Sequence, residues 1–222
     1  MDFSALWLTV RLALITTLLL LIIGIPLAWW LSVTRSRLKT VIETVTALPI
    51  VLPPTVMGFY LLILFSPQST FGQFWLVMTG QTLTFSFTGL VIASVLYSLP
   101  FMIQPIQSAF EALGQHLQEA AMSLRASPLD AFLTVTLPLS LRGILSGCVL
   151  SFAHTMGEFG IVLMVGGNIP GETRVISIEI YEQVETLQYQ QAHMLSLILV
   201  GSAFLMLLGV FLINRRFPVR VG

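Results

Sequence analysis

The run LALITTLLLLIIGIPLAWWLSV, from Leu12 to Val33, contains no charged residue. About 20 consecutive apolar residues are enough for a helix to cross the hydrocarbon core of a bilayer. Similar runs recur along the 222 residues of the chain, of which 56% are hydrophobic and only 9% are charged. This composition is far from that of soluble proteins. The sequence therefore predicts an all-helical integral membrane protein, and a buried core helix in a soluble enzyme is the weaker alternative.

Five membrane spans are predicted in a single domain covering residues 1–222, at about 11–33, 47–66, 86–106, 140–163 and 193–213. The first span is longer than the apolar part of a signal peptide and no basic segment precedes it, so we expect it to remain in the protein. Pro53 and Pro54 predict a kink in the second span, because proline removes a backbone hydrogen bond. The freed carbonyls need neighbouring helices or water, which favours a bundle around a pathway.

The distribution of charge predicts the orientation in the membrane. Basic residues follow the first, third and fifth spans: Arg35, Arg37, Lys39, Arg125, Arg142, Arg215, Arg216 and Arg220. The loop 67–85 has no charge, and the loop 166–192 carries four glutamates against Arg174 alone. By the positive-inside rule the N-terminus lies outside and the C-terminus lies in the cytoplasm. The net charge of zero gives no support for nucleic-acid binding.

The cytoplasmic loop 111–138 has the pattern of two short helices. Apolar residues at spacings of three and four predict an amphipathic helix that begins near Gly114: Leu113, Leu117, Ala120, Ala121 and Leu124. A second helix is predicted to start with Ser127 as N-cap, Pro128 in the first position and Asp130 reaching back to the cap. It is expected to present Leu129, Phe132 and Leu133 on one side. A loop that packs only on its own bundle remains the alternative.

This loop resembles the "EAA" loop by which permease subunits of bacterial ABC importers contact their ATPases. Glu119-Ala120-Ala121 and Leu137-Pro138 keep the family spacing, but Arg125 stands where glycine is usual. Arginine tolerates a positive φ poorly, so the turn could instead fall at Ala126 or Ser127. The resemblance implies a type I ABC importer permease fold, with Leu129 and Phe132 as buried contacts to the ATPase. The ATPase-docking residues it implies are Glu119, Ala120, Ala121, Leu124, Ser127, Leu129, Phe132 and Leu137.

Two further segments resemble oxyanion permeases. LPPTVMG at 52–58 is similar to permeases for molybdate, tungstate and sulfate, and MGEFG at 156–160 with NIPGETR at 168–174 is similar to the molybdate members. The resemblance implies alternating-access import by a homodimer in the bacterial cytoplasmic (inner) membrane, with two ABC ATPase subunits, an external oxyanion-binding protein and membrane lipid as partners. Sulfate permeases are usually longer, which favours molybdate and leaves tungstate and sulfate open. The implied path or gate residues are Pro53, Pro54, Thr55, Gly58, Glu158, Phe159 and Gly160, and the outer-loop residues near the binding protein are Asn168, Glu172, Thr173 and Arg174.

The chain lacks the glycine-rich phosphate loop of an ATPase, and Lys39 is its one lysine. No catalytic residue, metal or cofactor is expected on this chain, and ATP and Mg²⁺ would be used by the partner ATPase. An ion-driven secondary carrier is a competing interpretation, which predicts membrane-embedded acidic pairs and inverted repeats. An intramembrane enzyme would need a nucleophile beside a base. The sequence shows neither pattern.

Glu158 is the clearest ionisable residue inside a span, where a charge costs about 2.5–3.5 kcal/mol. It is predicted either at an outer gate, where it orients hydroxyl or backbone groups, or in a structural hydrogen bond between helices. His154 lies four residues earlier and predicts a His–Glu hydrogen bond rather than a metal pair. No lysine or arginine lies near the middle of a span. We therefore expect a weakly polar tunnel, lined by Thr55, Ser94 and Ser98, rather than a tight site.

Overall fold

The computed structural model describes residues 4–114, 120–121, 123 and 125–216, with side chains as far as residue 212. Within these ranges the chain forms helices and no strand. The helices are α1 (Ser4–Val33), α2 (Leu38–Val51), α3 (Pro54–Phe65), α4 (Thr70–Thr79), α5 (Phe87–Leu113), α6 (Pro128–Leu139), α7 (Leu141–Gly157), α8 (Gly160–Gly166), α9 (Ile176–Glu185) and α10 (Tyr189–Arg216). The predicted all-helical fold is confirmed.

Three of the described helices, α1, α5 and α10, are long and apolar enough to cross a membrane alone. Two bent pairs, α2 with α3 and α6 with α7, would each add one further span. Three boundaries differ clearly from the predicted ones, since α1 begins at Ser4, α2 begins at Leu38 and α5 continues to Leu113. The extensions of α2 and α5 contain charged residues, which lower their hydropathy, whereas residues 4–10 are largely apolar and belong to the first apolar span.

The core of the bundle is formed where α1, α5 and α7 pack together. Two clusters of buried side chains follow one another along it. One contains Leu12, Leu61, Phe65, Leu90, Val162 and Ile178, and the other contains Leu20, Leu31, Met102, Ile106, Phe110 and Phe132. Helix α7 approaches α5 closely at Gly143, where an added Cβ would lie 2.3 Å from the Ala109 Cβ. Small residues at such crossings let backbones approach, as is usual between membrane helices.

The predicted second span is two helices bent by 113°. Leu52 leaves the helical conformation with ψ 134°, and α3 then begins at Pro54. The residue before a proline is pushed away from the helical region, and Pro53 itself has no N–H to donate. The kink predicted from Pro53 and Pro54 is therefore confirmed, and it is a full break.

The predicted fourth span is also interrupted. Helix α6 meets α7 at Ser140 with a bend of 68°. Helix α7 ends at Gly157, Glu158 is extended with ψ 133°, and α8 starts at Gly160. The break at Glu158 and Phe159 was not predicted, and it places a charged residue at a helix end inside the bundle.

The two loops predicted to lie outside contain helices. The loop 67–85, for which no helix was predicted, forms α4, where the Ser69 hydroxyl accepts the Gly72 N–H and Gly80 ends the helix with φ 72°. Serine at the N-cap and glycine just after the last turn are typical helix boundaries. In the loop 166–192 the predicted short helix is confirmed as α9.

Candidate functional site

The break between α7 and α8 holds Glu158 in place. The Glu158 N–H still donates to the Thr155 carbonyl at 3.4 Å, and the Ser177 hydroxyl of α9 donates to the Glu158 carbonyl. The Phe159 ring packs on Tyr181 of α9, with 5.0 Å between ring centroids. Helix α9 therefore covers the break from one side. The Tyr181 hydroxyl donates to Glu185, and this hydrogen bond raises the pKa of Tyr181.

The Glu158 carboxylate is fully buried and accepts hydrogen bonds from two hydroxyl groups of α5. Ser94 Oγ donates to Oε2 at 2.5 Å, and Ser98 Oγ donates to Oε1 at 2.8 Å. A buried carboxylate is tolerated only when donors or an opposite charge compensate for the lost water. Glu158 thus makes the predicted hydrogen bonds between helices and links α7 to α5, and its role at an outer gate stays a prediction.

Ser98 is the centre of a wider polar network. Its Oγ lies 2.9 Å from His154 Nδ1 and 2.9 Å from Thr155 Oγ1. The predicted direct His–Glu hydrogen bond is replaced by this arrangement, in which His154 Nδ1 lies 3.5 Å from Glu158 Oε1 and bonds Ser98 instead. Ser98 was predicted in a tunnel wall rather than in this network, because only the packing of α5 on α7 brings it there.

A cavity of about 500 Å³ opens beside this network. Pro54 and Thr55 line it from the start of α3, Tyr97 from α5, and His154, Phe159 and Gly160 from the broken helix. Glu158 also belongs to the wall, although its side chain has no exposed surface. The structure therefore brings together Pro54, Thr55, Glu158, Phe159 and Gly160 around one cavity, and their role in a path or gate stays a prediction.

Four predicted path residues lie elsewhere. Ser94 and Ser98 are fully buried behind the carboxylate, so they do not line the cavity as expected. Pro53 caps α3 at the break, and Gly58 is packed where an added Cβ would lie 2.8 Å from the Met164 Cβ. Sequence reasoning missed Tyr97 as a wall residue and assigned His154 no place on the path. The signals were present: Tyr97 adjoins Ser98, and His154 lies one turn before Glu158.

The outer-loop residues are mostly bound to one another. Arg174 lies 3.4 Å from Glu179 and 3.1 Å from Glu182, which also accepts from Asn168 at 2.7 Å. Thr173 is fully buried, and its hydroxyl donates to the Gly166 carbonyl. The Thr173 hydroxyl closes the turn after α8, and the expectation that this loop lies near a binding protein stays a prediction. Glu172 lines a separate cavity of about 280 Å³ together with Arg11 and Phe87.

The start of α6 confirms the predicted capping box. Ser127 Oγ accepts the Asp130 N–H at 3.1 Å, and the Asp130 carboxylate accepts the Ser127 N–H at 3.3 Å. Arg125 takes the left-handed conformation with φ 68°, so the turn stays at the usual glycine position and does not move to Ala126 or Ser127. Ala120 and Ala121 are helical, whereas Glu119 and Leu124 lie outside the described residues.

Helix α6 presents two opposite faces. Leu129 and Leu133 are 59% and 49% exposed, whereas Phe132 is 7% exposed. The Phe132 ring packs against Trp29 and Phe110, with centroids 4.6 and 5.8 Å away. The expectation that Phe132 shares a face with Leu129 and Leu133 is therefore wrong. Residues 132–136 form a π-helix, and Leu137 at its end is half-buried against the same core cluster.

A charged cluster that sequence reasoning did not single out ties α2 to the end of α5. Lys39 Nζ lies 3.7 Å from Glu43 and 3.2 Å from Glu111. Gln107 donates to the same two carboxylates, at 2.6 and 3.0 Å. These contacts place the beginning of α2 and the end of α5 at the same end of the bundle.

Long apolar helices, proline breaks, a cavity at one break and a helix with exposed leucines before α7 are typical of a membrane transport permease. Residues 7–218 match the family described as binding-protein-dependent transport system inner membrane component, and the chain belongs to this family.

Several relatives are similar over most of the chain. The molybdenum transport system permease protein of Azotobacter vinelandii is 52% identical over 97% of this chain and 95% of that protein. The molybdenum transport system permease protein of Escherichia coli K12 is 37% identical over 83% of this chain and 81% of that protein. The sulfate transport system permease protein of Salmonella typhimurium is 32% identical over 90% of this chain but 72% of that protein.

Solved structures share the fold. A bacterial ABC transporter that imports alginate aligns with a TM-score of 0.77 and 17% identity, covering 97% of this chain and 79% of that one. The methionine ABC transporter in an inward-facing conformation aligns with a TM-score of 0.71 and 18% identity, covering 96% of this chain and 94% of that one. The fold is thus that of an ABC importer permease.

Proposed function

We propose that this protein is the permease subunit of an ATP-driven importer that carries molybdate across the cytoplasmic membrane by alternating access. The observation that carries the proposal is the near end-to-end match to a molybdenum permease, at 97% and 95% coverage. The sulfate relative is also similar, but this chain spans 72% of its length. Molybdate is therefore favoured, and tungstate and sulfate are the alternatives.

The proposed pathway passes the cavity at the α7–α8 break. The residues that line this cavity include no lysine or arginine, so a dianion meets no permanent positive charge there. Such a site binds weakly, which suits an importer because the cargo must leave again. Selection of the oxyanion then belongs to an external binding protein rather than to the permease.

The ATPase is proposed to dock on α6. Leu129 and Leu133 present apolar side chains outward next to the rigid Ser127 cap, while Phe132 fixes the helix to the bundle. A few exposed apolar anchors carry most of the energy of such interfaces. Two ATPase subunits would bind ATP and Mg²⁺ and transmit their closure through this helix to α5 and α7.

The assembly is proposed to contain two copies of this chain in the inner membrane, surrounded by lipid. Helix α10 offers apolar side chains outward along its length, including Val200, Phe204, Leu205 and Phe211, which lipid or the second copy would cover. The basic residues that follow α1 and α5 support a cytoplasmic position for those helix ends. The N-terminus then lies outside and the C-terminus inside.

Reconstitution tests this function. The permease is placed in liposomes with its ATPase and its binding protein, and ATP hydrolysis and uptake are measured with molybdate, tungstate and sulfate in turn. We expect molybdate-loaded binding protein to stimulate both activities. Stimulation by sulfate alone would overturn the proposed cargo, and uptake driven by an ion gradient without ATP would favour a secondary carrier.

A further inference from the structure

The cavity wall contains one ionisable side chain whose role is still open. The Glu158 side chain has no exposed surface, whereas the His154 side chain is 22% exposed and lines the cavity. Its ring stacks on Phe101, with centroids 4.0 Å apart, and lies 4.9 Å from the Tyr97 ring. The ring is thus held between α5 and the open space through which the cargo is proposed to pass.

The hydrogen bond from Ser98 to Glu158 indicates which ring nitrogen of His154 carries hydrogen. An ionised carboxylate can only accept, and a serine hydroxyl has one proton to give. Ser98 uses that proton to donate a hydrogen bond to Glu158 Oε1 at 2.8 Å. The 2.9 Å contact between Ser98 Oγ and His154 Nδ1 is then a hydrogen bond only when Nδ1 carries hydrogen. The interaction of the ring with an anion therefore depends on the second nitrogen, Nε2. A lone pair on Nε2 repels an anion, whereas an N–H on Nε2 binds the anion.

We infer that His154 contacts the translocated oxyanion as an imidazolium and donates its Nε2–H to it. The inference rests on the permease function proposed above. A charged ring has two partners in this geometry: the Glu158 carboxylate lies 3.5 Å from Nδ1, and the ring stacks on the face of Phe101. The same charge compensates Glu158, which otherwise has only serine donors in a helix bundle.

The cavity wall contains few other titratable groups whose change of charge could be mistaken for that of His154. Besides His154, the titratable residues that line the cavity are Tyr97 from α5 and Glu158 from the helix break. Helix α3 contributes Pro54 and Thr55, and α8 begins with Gly160, none of which titrates. The anion contact is present while the ring is protonated and is lost as pH rises. Histidine usually changes charge between about pH 5 and 8.

The test compares two replacements of His154 with a matched histidine elsewhere. Phe preserves the stacking on Phe101 but has no N–H, and Gln stays polar but cannot become charged. His193→Gln is the control, because His193 is exposed near the start of α10. Each variant is reconstituted with its ATPase and binding protein, and uptake per ATP hydrolysed is measured from pH 5.5 to 8.5, roughly the range in which histidine titrates.

We expect wild type and His193→Gln to lose uptake per ATP as pH rises. His154→Phe and His154→Gln should be lower by about tenfold at low pH, as for a lost hydrogen bond to a charged group, and should show no such pH dependence. Wild-type uptake and pH dependence in His154→Gln would overturn the inference. Assembly of each complex is checked by gel filtration, and if the Phe variant does not assemble, His154→Gln decides.

Failure of the proposed function is distinguishable from failure of this inference. The wild-type arm identifies the oxyanion, and the His154 variants are then measured with that anion even if it is sulfate or tungstate. An unchanged His154→Gln beside an active wild type contradicts the inference alone. A wild-type complex that imports no oxyanion with ATP contradicts both.

Discussion

The α7–α8 break and helix α6 show two opposite departures from ordinary packing. At the break a carboxylate is fully buried and bonded to two serines, whereas on α6 two leucines are about half exposed beside a fully formed cap. A buried charge and an exposed apolar pair both cost free energy in an isolated chain. In this permease the first lies beside the proposed path for an anion and the second lies where a partner is proposed to bind. The difference separates residues beside the proposed cargo path from residues at the proposed ATPase contact.

The largest effect is expected from a comparison of substitutions on the buried and the exposed face of α6. Removing a buried aromatic side chain costs about 3–5 kcal/mol, and a carboxylate in its place adds a buried unpaired charge. Phe132→Asp should therefore abolish the folded permease. Leu133→Asp changes an exposed residue, so the permease should still fold while ATP-driven uptake falls at least about tenfold, as expected for loss of an interface anchor. Yield of monodisperse protein and uptake in proteoliposomes measure the two outcomes.

The matched control for this comparison is Leu133→Gln, which keeps the same exposed position uncharged and should have a smaller effect than Leu133→Asp. Normal uptake by Leu133→Asp would remove the docking role of this face. A folded Phe132→Asp variant that binds no ATPase would restore the original expectation that Phe132 is a docking contact.

The two faces of α6 also show what the sequence could predict. Ser127, Pro128 and Asp130 specify the helix start locally, so the cap was predicted correctly. Whether Phe132 points to a partner or to Trp29 depends on where α1 lies, and apolar character is the same in both cases. In the cavity, Glu158 was recognisable as a lone charge in an apolar run, but the inward direction of Ser94 and Ser98 is set by the packing of α5 on α7.

Glu158→Gln should have an intermediate effect. An amide has nearly the same shape but gives one acceptor oxygen in place of two, and it removes the charge beside His154. Hydrogen bonds to charged groups contribute about 1.5–3 kcal/mol, so uptake should fall about tenfold or more. Preference among molybdate, tungstate and sulfate should stay unchanged, because the carboxylate does not face the cavity.

Competition uptake measures this preference, and Glu172→Gln is the matched control because Glu172 is exposed in the outer loop. A clear change in the order of preference among the oxyanions in Glu158→Gln would show that the carboxylate contacts the cargo directly. Glu158 itself would then belong to the residues that contact the cargo.

The smallest effect is expected at Arg125, which holds φ 68° just before the Ser127 cap. A left-handed conformation costs a residue with a Cβ about 1–2 kcal/mol, and glycine avoids most of this cost. Arg125→Gly should therefore raise the midpoint of thermal unfolding by a few degrees, as about 1 kcal/mol does for a chain of this size. Arg37→Gly is the matched control, because Arg37 is exposed and has an ordinary φ of −61°. An equal rise in both variants would mean that loss of charge, rather than relief of the backbone, stabilises the protein. A fall in Arg125→Gly alone would mean that the guanidinium stabilises the loop by more than its strained backbone costs.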